Sequence, residues 1–523
     1  MKSSDKFLRG AMILTIAGLL VKVIGSVNRI LLSRLLGGEG IGLYQMAYPV
    51  YLLLLSISAA GIPVAISIIV AEYLAQRDYA NVRQVFRVSL RLMAVVGLVL
   101  AAALVLAAGW LVENGVIKDA RAYYALLALT PAIFFATILA SFRGYFQGHQ
   151  LMTPPAVSQI VEQFIRVVTM VVLAYVLLPY GLEFAAAGAA FGAVPGSLTG
   201  LVVLGGFYRY YKKQWRDEKC ALPGAQLTPA RRLSKRLLLL ALPVSCANVI
   251  VPVTSSIDVL LVPKYLLAAG FSVKEATTQF GYLAGMAQPL LLMATIPTMS
   301  LATSLVPAVS EAMALKRWPL IEEKLATAMK LCCLITVPAA VGMSALAGPI
   351  SRLLYGTGEA AAAIMHSGPA IWFLGLQQVT TGMLQGMGHT NLPMLHMLAG
   401  IVAKLIAVCQ LTNAEYGIAG AAWATNINFG VTAALNILAL QYFKIKFHWL
   451  SICKIIFAAL IMGAAAQALH GLLAGFNYTL ATLAALAGAG VVYAALLPLL
   501  RIISVAELKQ LPLVKKLAQK LRK

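Results

Sequence analysis

The chain has 523 residues, 61% of them hydrophobic and only 11% charged, with a formal net charge of +23. A soluble globular protein is far less apolar, and the alternating ten-residue segments of a transmembrane β-barrel do not occur, so the chain reads as a helical membrane protein. Its basic residues lie between apolar runs and form no aromatic-interleaved basic domain, which excludes nucleic acid as a partner and leaves topology to explain the charge.

At roughly 20 apolar residues per crossing, the sequence divides into fourteen predicted transmembrane helices: 11 to 36, 43 to 71, 86 to 112, 122 to 147, 155 to 178, 184 to 208, 236 to 263, 278 to 310, 323 to 348, 360 to 387, 391 to 413, 417 to 443, 450 to 473 and 478 to 500. The basic, apolar N-terminal run imitates a signal peptide. No small-residue cleavage site precedes Lys22 and Arg29, so it is read as the first membrane helix.

Charge sets the expected orientation. With the N-terminus cytoplasmic, that side receives Lys2, Lys6 and Arg9; Arg77, Arg83, Arg87 and Arg91; Arg143; the cluster from Arg209 to Arg236; Lys316, Arg317, Lys324 and Lys330; Lys444, Lys446 and Lys454; and the tail from Arg501. The other side holds Lys118, Arg121, Lys264, Lys274 and Arg352. The bias predicts both termini on the cytoplasmic side.

An internal repeat organises the fold. Pro131-Ala132-Ile133, Gly144, Gln147, Gly148 and Pro155 reappear as Pro369-Ala370-Ile371, Gly382, Gln385, Gly386 and Pro393, each shifted by 238 positions. The same shift pairs Arg166 with Lys404. AGAAF from Ala187 matches AGAAW from Ala419, and Pro63 and Pro297 fall in corresponding helices. Six crossings per repeat give both halves the same orientation, so the expected relation is a pseudo-two-fold along the membrane normal. The predicted organisation is an N-lobe over 1–208 (helices one to six), a cytoplasmic basic connector over 209–235, a C-lobe over 236–443 (helices seven to twelve), two extra C-terminal helices within 444–504, and a basic amphipathic tail over 505–523 lying on anionic lipid.

Charges within membrane spans face a bundle interior or a wet cavity by default. Lys22 and Arg29 are seven residues apart and lie within about 20° of one helix face. Arg34 is rotated away near the helix end, where it can snorkel. Glu162 and Arg166 stand at i,i+4, the spacing of a local pair; Lys404, the repeat partner of Arg166, has Gly400 in place of the acid. Lys22, Arg29, Arg166 and Lys404 together are expected to form a cationic cavity suited to phosphate or pyrophosphate. Asp258 and Glu162 are candidates for a counter-ion or a coupling-ion site. Glu72 and Glu311 fit pairing with basic residues at the interface. Asn28, Gln147 and Gln385 suit either sugar binding or bridging between helices. The six cysteines and six histidines have no metal spacing, so no metal and no cofactor is expected.

Two stretches carry a family resemblance: GLYQMAYPVYLLLLSISAAGIPVAIS (Gly42 to Ser67) and RGYFQGHQLMTPPAVSQIVEQFIRV (Arg143 to Val167). They resemble the polysaccharide-transporter branch of the multidrug/oligosaccharidyl-lipid/polysaccharide flippase superfamily, within it the group of bacterial stage V sporulation protein B, related to lipid II flippases. The resemblance implies two six-helix lobes in a V with two extra helices. It implies transport of an undecaprenyl-pyrophosphate-linked saccharide, such as a peptidoglycan precursor, by alternating access. The basic-x-x-Gly pattern of cavity-lining residues in those flippases matches Lys22-Val23-Ile24-Gly25, with Lys in place of Arg. Their extra helices form a groove for the lipid tail, which suits helices thirteen and fourteen. Expected partners are the lipid-linked saccharide, membrane lipids and cell-wall synthesis proteins; no enzymatic reaction is expected. A cation-coupled multidrug exporter, a membrane glycosyltransferase or polymerase, and a non-transporting assembly scaffold are the competing readings.

Overall fold

The computed structural model describes residues 3–59, 61–214, 227–445, 449–473, 475 and 477–502; among them every regular element is a helix. Helices suit a bilayer because each satisfies its own backbone hydrogen bonds. The middle of the expected connector, 215–226, and the expected amphipathic tail over 505–523 lie outside the described residues.

The chain divides into two units, residues 1–286 and 287–523. The first begins with α1 (Ser3–Ser58), which is broken at Gly37 (φ 66°, ψ −174°) into arms over 3–36 and 38–58. Glycine adopts that positive φ without a Cβ clash. The helix expected over 43 to 71 is in fact two pieces, because α2 (Ile62–Ala75) restarts at Ile62-Pro63. Proline offers no N–H to the preceding turn, so it favours the first positions of a new helix.

Next come α3 (Tyr79–Glu113), capped by the Asp78 carboxylate on the Asn81 N–H, then α4 (Ala122–Gly148) and α5 (Thr153–Leu177). The expected sixth helix is interrupted at Gly192, giving α6 (Leu182–Phe191) and α7 (Ala193–Gln214). The expected connector is helical at both ends: α7 enters it and α8 (Ala230–Ala268) starts inside it. The unit closes with α9 (Val273–Gly281), whose capping box joins Ser272 and Glu275. Ile62, Ile66, Ile69, Val85, Met93, Leu233 and Leu237 form a core shared by α2, α3 and α8.

The helix expected over 278 to 310 is also divided. A π-helical turn (Tyr282–Ala287) follows α9, and a 47° bend separates α10 (Gln288–Ala294) from α11 (Ile296–Ala314). Ile296-Pro297 restarts α11 as Ile62-Pro63 restarts α2. The second unit continues with α12 (Trp318–Ala345), α13 (Ala347–Tyr355), α14 (Ala361–Gly386), α15 (Asn391–Leu411), α16 (Gly417–Tyr442), α17 (Trp449–Leu473) and α18 (Tyr478–Leu499).

Among the described residues nine helices are long and apolar enough to cross a membrane, or ten if the bent pair is one span. One of them, Ile16–Ala75, runs through the Gly37 break and takes in two of the expected crossings. Leu98, Leu106, Val202, Leu472 and Val491 are turned outward. Such side chains would be a liability in water and are at home in hydrocarbon.

The repeat appears as the same packing carried out twice. On α4, a Cβ at Gly144 or Gly148 would strike Pro63, Ile66, Ser67 and Val70 of α2 at 3.0 Å or less. On α14, the equivalent Gly382 and Gly386 lie as tightly against Ala302, Val306 and Val309 of α11. Without a hydrophobic drive between helices in lipid, close contact through small residues holds them together.

Candidate functional site

The first arm of α1 lies along α5. A Cβ on Gly25 would come within 3.2 Å of Gln163 Nε2, and buried Asn28 donates from Nδ2 to Met170 Sδ at 3.3 Å. Asn28 is thus a bridging side chain. Lys22 and Arg34 are exposed on this arm and Arg29 is half-buried.

Past the Gly37 break, the second arm turns three tyrosines toward this region. Tyr44 stacks on Tyr48 with ring centroids 5.3 Å apart, and Tyr48 meets Tyr51 at 5.8 Å. The Arg29 guanidinium lies 5.8 Å from the Tyr48 ring centroid, within cation–π range. On the other side, Tyr51, Tyr48 and Tyr44 all lie close enough to Arg166 to interact with its charge. The tyrosine ladder therefore stands between the two arginines.

Arg166 donates to Glu162 Oε1 at 2.7 Å, the local pair expected from the spacing. The other oxygen, Oε2, accepts from Arg143 of α4 at 2.6 Å. Arg143, counted above in the charge bias, has a local partner as well: its side chain is 21% exposed and forms an ion pair between helices. Glycines on α7 make the room. A Cβ on Gly196 would lie 2.9 Å from Arg166 Cβ, and one on Gly200 would lie 3.4 Å from Glu162 Cβ and Oε2. Arg143 of α4 and Arg166 of α5 thus share Glu162, while Lys22 and Arg29 stand on the α1 arm that packs along α5. Guanidinium forks match phosphate oxygens two at a time, and the ammonium of Lys22 adds a point charge.

Elsewhere in this unit Glu72 pairs with Arg236 across α2 and α8, Asp258 is buried in α8, and Gln147 is half-buried near the end of α4. In the second unit Lys404 is fully buried in α15, while Gln385 and Glu311 are exposed. Position 400 cannot hold a carboxylate there: a Cβ on Gly400 would meet Thr432 Oγ1 at 2.2 Å and the Asn428 carbonyl at 2.7 Å.

The sequence reading missed the tyrosines, Arg143, Gly196 and Gly200. The tyrosines had a usable signal, since positions 44, 48 and 51 follow the i, i+4, i+7 rule of one helix face. A second ionic cluster was also missed. Arg121 donates to Asp119 at 2.8 Å and to Glu39 at 2.7 Å, Lys274 stands 3.6 Å from Glu39, and Thr277 Oγ1 donates to Asp119 at 2.8 Å. It ties the start of α1's second arm to the α3–α4 loop and to α9.

Broken apolar helices, a packing scheme carried out in both units and buried cations are those of a polytopic membrane protein of the transporter class. Residues 7–313 match the family described as polysaccharide biosynthesis protein, and residues 283–408 match MatE. The chain is 32% identical to stage V sporulation protein B of Bacillus subtilis (strain 168) over 521 residues, 98% of this chain and 99% of that protein. It is 27% identical to lipid II flippase MurJ of the same organism over 424 residues, 77% of each. A solved structure of lipid II flippase MurJ, inward closed conformation, shares the fold with a TM-score of 0.69 at 15% identity, covering 93% of this chain and 98% of that one. The chain belongs to the polysaccharide biosynthesis protein family.

Proposed function

We propose that this protein flips an undecaprenyl-pyrophosphate-linked saccharide, a peptidoglycan precursor such as lipid II, across the bacterial cytoplasmic membrane. The observation that carries this reading is the pair of guanidiniums, Arg143 and Arg166, held on the one carboxylate of Glu162, with Arg29 over Tyr48 of the adjoining tyrosine ladder. Desolvated cations are costly in a bilayer and are retained where an anion passes. Lys404, buried at the repeat-equivalent position, is a further anion-binding residue within the second unit. Transport is by alternating access, with 1–208 and 236–443 as the two six-helix lobes and both termini cytoplasmic.

An apolar cavity of about 460 Å³ in the second unit supports a lipid-borne substrate. It is lined by Pro338 and Met343 of α12, Met462 of α17, and Leu486, Gly490 and Tyr493 of α18. Of these, α17 and α18 are the helices that the resemblance assigns to the lipid tail. The headgroup enters the cationic site, the polyprenyl chain stays in hydrocarbon or in this cavity, and one site exposed alternately to the two sides suffices for flipping. A multidrug exporter for cationic drugs would be repelled by the excess of positive charge.

Reconstituted liposomes carrying fluorescent lipid II test the reading. The wild type should move it between leaflets, and a Lys22→Ala/Arg29→Ala variant should not. Normal transport by that folded variant would remove the mechanism.

A further inference from the structure

Glu162 holds two arginines from two helices, one oxygen each, at 2.6 and 2.7 Å. A carboxylate between two guanidiniums occupies them as a phosphate group would, with fewer acceptor oxygens and less charge. The two arginines are incompletely satisfied by it. The Nε–H of Arg143 and that of Arg166 are both buried without an acceptor among the described residues. A buried N–H donor left unmatched is costly, and a ligand that supplies the missing oxygen recovers that cost.

The second unit bears on why the carboxylate is there. The shift of 238 carries Arg143, Glu162 and Arg166 onto Thr381, Gly400 and Lys404. The cation is kept while the acid and its second arginine are gone, and the interface is built the other way round. Glycines on α7 accommodate Glu162 in the first unit; in the second, Gly400 accommodates Thr432 and Asn428. This helix crossing can therefore be packed without a carboxylate.

We propose that Glu162 is a built-in competitor for the anionic headgroup, and that Arg143 is a substrate-binding residue held in reserve by it. A phosphate- or pyrophosphate-bearing ligand takes over the donors of Arg166 and Arg143 and displaces the carboxylate from at least one of them. The i,i+4 bond to Arg166 is local to α5, whereas the bond to Arg143 joins α4 to α5, so the exchange converts anion binding into release of one helix from another. The competitor also sets an affinity ceiling, which a carrier needs in order to let its cargo go. This deepens the flippase reading and rests on it for the identity of the anion.

The test is direct binding of inorganic pyrophosphate to the purified full-length protein in detergent, with thermal unfolding recorded for each variant. Glu162→Gln should bind about tenfold more tightly than wild type, as expected when about 1.4 kcal/mol of competition is removed, and Arg143→Ala should bind more weakly. Equal or weaker binding by folded E162Q overturns the competitor role, and unchanged binding by R143A overturns the role of Arg143. If E162Q does not fold, Arg143→Gln/Glu162→Gln removes both charges together and is compared with R143A. The double variant should bind more tightly, and equal binding refutes the proposal. Failure of the flippase reading is separable: these affinity changes would appear while lipid II stays unmoved in liposomes. The converse failure is unchanged pyrophosphate affinity in E162Q with normal lipid II flipping.

Discussion

Gly281 of α9 lies against the main chain of Gly38 at the start of α1's second arm: a Cβ on Gly281 would sit 1.9 Å from the Gly38 carbonyl oxygen. Gly42 and Thr277 repeat the relationship one turn on, at 2.2 Å. The contact is backbone to backbone, with no flexible side chain able to move aside.

Gly281→Ala should accordingly destabilise the protein by about 1–3 kcal/mol, the range of overpacking penalties. Gly109→Ala, where nothing lies within 4 Å, serves as the control. Thermal unfolding in detergent separates the two, and equal melting temperatures would mean that this contact is not close.

The ionic cluster beside that contact gives a pH dependence. Burial alone would raise the Asp119 carboxyl, but hydrogen bonds from Arg121 and Thr277 outweigh it and hold the group below the usual carboxylate range. A folded-state pKa below the unfolded one contributes stability that is complete above about pH 4 and is lost as pH falls through the folded value. Asp119→Asn should cost about 1.5–3 kcal/mol at neutral pH. Its deficit should shrink toward pH 3; a deficit constant from pH 7 to 3 would assign the effect to packing instead.

Lys22 acts as a point charge in the proposed mechanism. Lys22→Arg keeps that charge and should flip lipid II within about threefold of wild type, whereas Lys22→Ala should lose about tenfold or more, the scale of one charge-assisted contact. Equal activity of all three would exclude Lys22 from the pathway.

The apolar cavity offers a test in which stability and transport move oppositely. Gly490 of α18 lines it and has open space where a Cβ would stand. Gly490→Leu should stabilise the helix by about 0.5–1 kcal/mol through propensity alone, while slowing flipping by occupying the space of the tail. A higher melting temperature with unchanged flipping would show that the tail lies elsewhere.

The fold was legible where the signal was local or repeated. Apolar runs located the helices, and the matched glycines of α4 and α14 announced a packing scheme that occurs in both units. The breaks were less legible. Pro63 and Pro297 stand out as matched positions of the repeat, but the restart of the helix at each depends on what the preceding turn does. At the site, the Glu162–Arg166 pair followed from spacing on one helix. Arg143 did not, because its partner lies on another helix and its position near a helix end looks like any topological charge. Gly196 and Gly200 acquire meaning only once α7 is laid against α5.

The π-helical turn over Tyr282–Ala287 has a mechanical consequence. The division between the units falls at Met286 and Ala287, inside that turn. The chain therefore crosses that division within a wound helical turn. In a π turn each hydrogen bond reaches five residues instead of four, so one residue can be taken up or given back by rewinding.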